Sequence, residues 1–313
     1  MFEIPEKADK IAIFAHIRPD GDTLGGVLAL GLSLKLAGRD VDMFCDSEIP
    51  EFYMILDGIK LINSEPYSEY DMLIAVDCAD PPRLGVYARR FLAHPNTLNI
   101  DHHYTNTKYA KTNAVVPSAS CCEIIYSGLK DNGLPINKNI AECIYCGIVT
   151  DTGNFAQSNT TKNSFAVTAE LLDYGIDVEF LSDAFLNQKP YARHLLVAKS
   201  IQNMRFFCNG KICIVTIRLA DLNEFGLNIQ DTEGIIRYAI GCTGVLAGIC
   251  LTESTPNTYK VSLRSKRSVD ISAAAERFGG GGHKQAAGCV VSGALEEVIE
   301  KLVRAAELEL PLN

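Results

Sequence analysis

Asp101, His102 and His103 follow directly on the apolar run Thr97-Leu98-Asn99-Ile100. Such a run reads as a buried strand, and a carboxylate with two imidazoles at its carboxyl end stands where open α/β sheets place their sites. Taken alone, the three residues fit a polar turn equally well. Three further segments repeat the arrangement. Ile11 to Ala15 ends in His16, and Asp20 and Asp22 follow inside HIRPDGD, with Gly21 allowing a tight turn between the two carboxylates. Met72 to Val76 ends in Asp77, and IAECIYCGIVT ends in Asp151 ahead of a Thr-Gly turn. Four apolar elements that each deliver acids or imidazoles at their ends exceed what structural caps produce.

Mixed Asp and His ligands without an obligatory thiolate suit a borderline-hard divalent ion, so Mn(II) is expected, with Co(II) or Mg(II) as substitutes. A carboxylate that bridges two such ions about 3.5 to 4 Å apart makes a pair that activates water and clamps phosphoryl oxygens. Phosphate-ester hydrolysis is the chemistry these residues imply.

The elements that must position them alternate in type. Residues 1–186 pass through the strands IAIFA, VDMFC, MLIAV and TLNI, with helices at GGVLALGLSLKLAG and around Val86 to Leu92 between them. That rhythm predicts βαβ units: an α/β fold with a mostly parallel sheet and helices on both faces. Helical patterns follow at 120–129, 138–150, 163–175 and 178–185. Residues 189–207 read as one long helix begun near Pro190, so a linker helix is expected over 187–207. Beyond it, 208–313 read as a smaller α/β domain with strands at KICIVTI, TGVLAGICLTE and TYKVSLRS and helices at 231–240, 271–278 and 295–308.

With 313 residues, 47% hydrophobic, the chain has material for two packed cores. A net charge of -9 argues against a grip on long duplex nucleic acid, which calls for basic stripes. Part of that acidity is the site itself, because Asp20, Asp22, Asp77 and Asp151 would be offset by two divalent cations. The start MFEIPEKADK has no apolar signal core and no long apolar span follows, so the expectation is a cytoplasmic protein with no membrane partner. Its eleven cysteines, Cys143 and Cys146 of a C-x-x-C included, are then reduced core thiols.

The second lobe has its own signature, FGGGGHKQAAG. Four glycines in a row, Gly279 to Gly282, let backbone N–H groups approach an anion, while His283 and Lys284 add donors and charge. A flexible turn is the competing explanation. Arg264 offers a planar fork for phosphate or carboxylate and Ser265 a hydroxyl, whereas Lys266 and Arg267 read as solvated. If the lobes face one another, this patch holds the nucleotide portion of a substrate cleaved in the acidic pocket.

The four acidic segments and GGGGHKQAAG, in this order over nearly the whole chain, closely resemble the DHH phosphoesterase family, in the subgroup with a DHH-associated C-terminal domain. The chain length is similar to the NrnA type, oligoribonucleases that also act on 3'-phosphoadenosine 5'-phosphate (pAp), rather than to the larger RecJ-type exonucleases. The resemblance implies a Mn(II)-dependent hydrolase of short oligonucleotides or pAp, with a homodimer as plausible assembly. It implies one ion on His16, Asp20 and Asp77 and another on Asp22, Asp77, His102 and Asp151. It also implies His103 on the scissile phosphate, Asp101 orienting an imidazole, and substrate contacts from Arg264, Ser265, Gly280, Gly281, Gly282, His283 and Lys284, with Arg18 and Asn106 touching phosphate or neighbouring groups. A cyclic- or linear-dinucleotide phosphodiesterase, a pyrophosphatase, a RecJ-like single-strand exonuclease and a non-catalytic nucleotide-binding protein are the competing functions.

Overall fold

Apolar runs with no polar alternation need cover on both faces, and the first sheet provides it. In the computed structural model, which describes residues 2–5, 7–64, 68–266 and 268–311, the chain divides into two units, Met1–Gln188 and Lys189–Asn313. Five strands of the first unit, β1 (Lys10–Phe14), β2 (Asp40–Phe44), β3 (Met72–Val76), β4 (Thr97–Asp101) and β5 (Thr112–Val115), pair in parallel in the order 2-1-3-4-5. The order reverses between β1 and β3, the switch point at which doubly wound sheets open a crevice. β3 is buried at every residue, as a central parallel strand should be.

On one face lie helices α1 (Gly21–Leu36), α3 (Cys121–Asp131) and α4 (Lys138–Asp151), with α2 (Ala88–Ala93) on the other, where Phe14, Phe44 and Phe91 form an aromatic cluster. α5 (Lys162–Leu172) and α6 (Val178–Ser182) complete the unit. α1 is apolar nearly all round because it is packed between the sheet and α3 and α4. Small residues permit that closeness: a Cβ on Gly147 would stand 2.3 Å from the Cys122 sulfur and 2.6 Å from Oδ1 of Asp22.

The second unit is a mixed six-stranded sheet. It opens with α7 (Tyr191–Gln202), then β6 (Arg205–Phe207), β7 (Ile212–Ile217), α8 (Leu219–Phe225), α9 (Ile236–Ile240), β8 (Ala247–Thr255), β9 (Thr258–Ser265), α10 (Ser272–Glu276), β10 (Gly281–His283), β11 (Ala286–Ser292) and α11 (Leu295–Glu307). Sheet order is 10-11-9-8-7-6, parallel only between β7 and β8.

Two sequence expectations change here. The helix expected over 189–207 stops at Gln202, and Arg205–Phe207 pairs with β7 as an edge strand. Leu196 and Val197 of α7 join a core with Val215, Ile217 and Ile236, so the helix is anchored in the second unit. The helix expected over 231–240 is a 3-10 turn at Ile229–Thr232 followed by the short α9. Arg267, read as a solvated cation, lies outside the described residues. Among the described residues no helix is long and apolar enough to cross a membrane.

Candidate metal centre

β1, β3 and β4 end side by side, so His16, Asp77 and Asp101 to His103 emerge at one edge of the sheet. α1 starts in the same place. Asp20 caps it, accepting the Thr23 N–H at 3.0 Å, and Asp22 falls in its first turn. Carboxylates at a helix N-terminus are stabilised by the N–H groups and the dipole there. The last residue of α4 is Asp151.

Asp77 is the centre of the arrangement. It is 2% exposed and takes a left-handed backbone, φ 55°, that few residues other than glycine adopt. Its two oxygens face different imidazoles: Oδ2 lies 3.5 Å from His16 Nε2, and Oδ1 lies 3.4 Å from His102 Nε2. Around Oδ2 gather His16 and Asp20, whose carboxylate is 3.8 Å from His16 Nε2. Beyond Oδ1, His102 Nε2 is 3.7 Å from Asp22 and 3.4 Å from Asp151. The structure therefore brings together all six residues expected as metal ligands, in two groups with Asp77 between them.

The imidazoles are oriented from behind. His16 Nδ1 donates to the Ile17 carbonyl at 2.8 Å and His102 Nδ1 to the Ser118 carbonyl at 3.1 Å, which directs the other nitrogen of each ring into the cluster. Asp22 accepts the N–H groups of Cys121 and Cys122 at 2.6 and 2.9 Å, at the start of α3. His16 Nε2 and Asp77 Oδ1 are buried without a hydrogen-bond partner. An orphaned imidazole nitrogen and carboxylate oxygen, among hard oxygen donors, fit divalent cations.

Electrostatics agree. Burial, with repulsion from Asp77, pushes Asp22 up to about 7, and burial with repulsion from Asp22 and Asp77 pushes Asp151 up to about 8. Burial also resists ionisation of Asp77, but His102 and His16 outweigh it and hold that carboxyl below its usual range. Burial opposes a charged His102, yet Asp77, Asp22 and Asp151 raise it to about 10. Without metal, protons stand where cations would neutralise the same crowded carboxylates.

His103 differs from His16 and His102. Its Nδ1 bonds Asp101 Oδ1 at 2.8 Å, which raises its pKa, and its side chain is 35% exposed, so Nε2 can present a proton to a substrate. Asp101 itself is fully buried; it also accepts the N–H groups of His102 and His103 and the side-chain amide of Asn106. The Asn106 amide nitrogen also meets Asn99 Oδ1 at 2.7 Å and its oxygen accepts the Lys108 N–H, so this residue steadies Asp101. Arg18 is exposed in a left-handed conformation, φ 55°, with its N–H on Ser47.

In the second unit Arg264, Ala286 and His283 are register partners across β9, β11 and β10, so Arg264 and His283 share one face of the sheet. The Ser265 hydroxyl spends its proton on the Val269 carbonyl at 2.7 Å, and Lys284 is exposed. The glycine run is not an open loop, and packing accounts for much of it. A Cβ on Gly280 would meet the Gly288 carbonyl at 2.2 Å, one on Gly282 the Ala286 carbonyl at 2.4 Å, and Gly279 has φ +71°. Only Gly281 of the four has free space where a side chain would be and no positive φ.

Sequence reading missed the supports. Thr23, fully buried, donates its hydroxyl to Asp77 Oδ2 at 2.7 Å, and Asn159 donates to the carbonyls of Ala119 and Asp151, both at 3.0 Å. Asn99, a polar residue inside an otherwise apolar strand, was the one visible signal among them.

Comparison with known proteins places these segments. A model of the DHH family N-terminal domain matches residues 10–148, and a DHHA1 domain model matches residues 210–310. The chain is 32% identical over 306 residues to the bifunctional oligoribonuclease and PAP phosphatase NrnA of Thermus thermophilus, covering 96% of this chain and 90% of that one. It is 28% identical to the NrnA of Bacillus subtilis over 292 residues, covering 90% of each. A crystal structure of an exopolyphosphatase-related protein from Bacteroides fragilis superposes with a TM-score of 0.89 at 27% identity, over 97% of this chain and 93% of that one.

Proposed function

We propose that this chain, which belongs to the DHH family and carries a DHHA1 domain, hydrolyses very short oligonucleotides to mononucleotides and dephosphorylates pAp with two Mn(II) ions. The observation that carries the reading is the placement of Asp77, with one oxygen toward each of two ligand groups and a buried oxygen that nothing else satisfies. His16, Asp20 and Asp77 would hold one ion, and Asp22, His102, Asp151 and Asp77 the other. Two such ions lower the pKa of a bound water and offset charge on phosphoryl oxygens, so no separate protein base is required.

The remaining work falls to the chain's own residues. His103, whose bond to Asp101 favours the protonated ring, would donate from Nε2 to a phosphoryl oxygen, and Asp101 with Asn106 keeps that ring from turning. Thr23 fixes the rotamer of Asp77. Arg264, Lys284 and His283 bind substrate anions, with the Gly281 backbone open to close approach. The eleven unpaired cysteines, nine of them buried, support a reducing compartment such as the cytoplasm.

The test is a panel of pAp, pApA, di- and trinucleotide RNA, short DNA, long RNA, a cyclic dinucleotide and pyrophosphate, each with Mn(II). Mononucleotides from the shortest RNA and phosphate from pAp are expected. Turnover of pyrophosphate or of the cyclic dinucleotide alone would overturn the assignment.

A further inference from the structure

One stretch of chain holds two ligands of a single cation position and reaches a third through one asparagine. In residues 118–123, the Ser118 carbonyl holds His102, the Ala119 carbonyl accepts from Asn159, which also grips the Asp151 carbonyl, and the Cys121 and Cys122 N–H groups hold Asp22. These three, Asp22, His102 and Asp151, lie close enough to hold one ion, which the reading above shares with Asp77. The other group is held elsewhere: His16 by the Ile17 carbonyl, Asp20 through its capping of α1.

Glu123 clasps that stretch. Ser120 and Glu123 have the spacing of a capping box, and Ser120 does accept the Glu123 N–H at 3.3 Å. The Glu123 carboxylate instead turns to Ser118 Oγ and to Asn163 Nδ2, each at 2.8 Å, tying 118–123 to the segment that carries Asn159. It is 2% exposed, with Oε1 unpartnered. A buried carboxylate left half satisfied is an expensive clasp, and capping the helix does not account for it.

We propose that Glu123 is a positioning residue for the cation position of Asp22, His102 and Asp151 alone, acting through Ser118 and, by way of Asn163, through the segment that carries Asn159. The proposal rests on the two-ion reading above. Supports of this kind alter metal affinity by roughly 10- to 100-fold when removed. The experiment is calorimetric titration of Mn(II) into the metal-free full chain, as wild type, Glu123→Ala, Glu123→Gln and Asn159→Ala, with circular dichroism to follow the fold. Glu123→Ala is expected to weaken one of two binding constants by roughly 10- to 100-fold and leave the other within about twofold. Glu123→Gln, which keeps an acceptor oxygen for Ser118 and Asn163, is expected to recover most of the loss. Should Glu123→Ala fail to fold, Asn159→Ala carries the same selective weakening. Wild-type constants in the alanine variants, or equal weakening of both ions, would overturn the proposal. A wild type that binds no Mn(II) would overturn the two-ion reading itself.

Discussion

Replacing Asp151 by Asn removes a charge while keeping the shape, and it separates what the metal centre does for activity from what it costs the fold. Burial and the neighbouring Asp22 and Asp77 push Asp151 up to about 8, against 3.8 for an ordinary Asp, a balance that already includes attraction from His102. A carboxyl that holds its proton more tightly folded than unfolded is neutral to stability at low pH. It destabilises progressively as pH rises from about 4 to about 8, because ionisation then opposes folding. Each tenfold change in proton affinity is worth about 1.4 kcal/mol, so the ceiling at pH 8 is on the order of 5 kcal/mol. Asp22 and Asp77 share the same excess charge, and one substitution relieves only part of it, about 1 to 3 kcal/mol. For a unit of this size that is about 2 to 12 °C in Tm. In chelator-treated protein, scanning calorimetry should show Asp151→Asn melting above the wild type by a margin that grows from pH 5 to pH 8. With excess Mn(II) the order should reverse, since ligand binding raises only the protein that keeps its full ligand set. A variant that melts lower than wild type at pH 8 without metal, or whose shift is the same at both pH values, would refute the electrostatic reasoning.

Three other outcomes follow from the same geometry. Asp77→Ala, which removes the carboxylate facing both ligand groups, should abolish turnover of pAp and dinucleotides; near-normal kcat would refute its bridging role. Thr23→Val leaves Asp77 one donor short, and loss of such a buried bond costs about 1–3 kcal/mol, read as a lower Tm with weaker Mn(II) binding. Gly281→Ala has room for its methyl group, so Tm should hold while KM for pAp rises several-fold; an unchanged KM removes this backbone from the substrate surface.

The clustered acids and imidazoles were legible because each one ends a buried strand or bounds a helix, and apolar runs are visible in one dimension. Their supports were not. Thr23 meets Asp77 across 54 positions, and Asn159 meets Ala119 across 40, distances over which spacing carries no information. The glycine run is ambiguous in a different way: backbone proximity to a neighbouring strand demands glycine as firmly as an anion does. The helix expected through residue 207 failed because Arg205–Phe207 is a short, exposed edge strand that lacks the pattern of a buried one.

The left-handed backbone of Asp77 has a wider consequence. Strain of this kind costs on the order of 1–3 kcal/mol, and glycine would relieve it only by giving up the attraction of His102 and His16 and the Thr23 hydroxyl bond. At this position the backbone pulls toward glycine while the neighbouring side chains pull toward a carboxylate. On the two-ion reading, cations facing both of its oxygens would settle that contest in favour of aspartate.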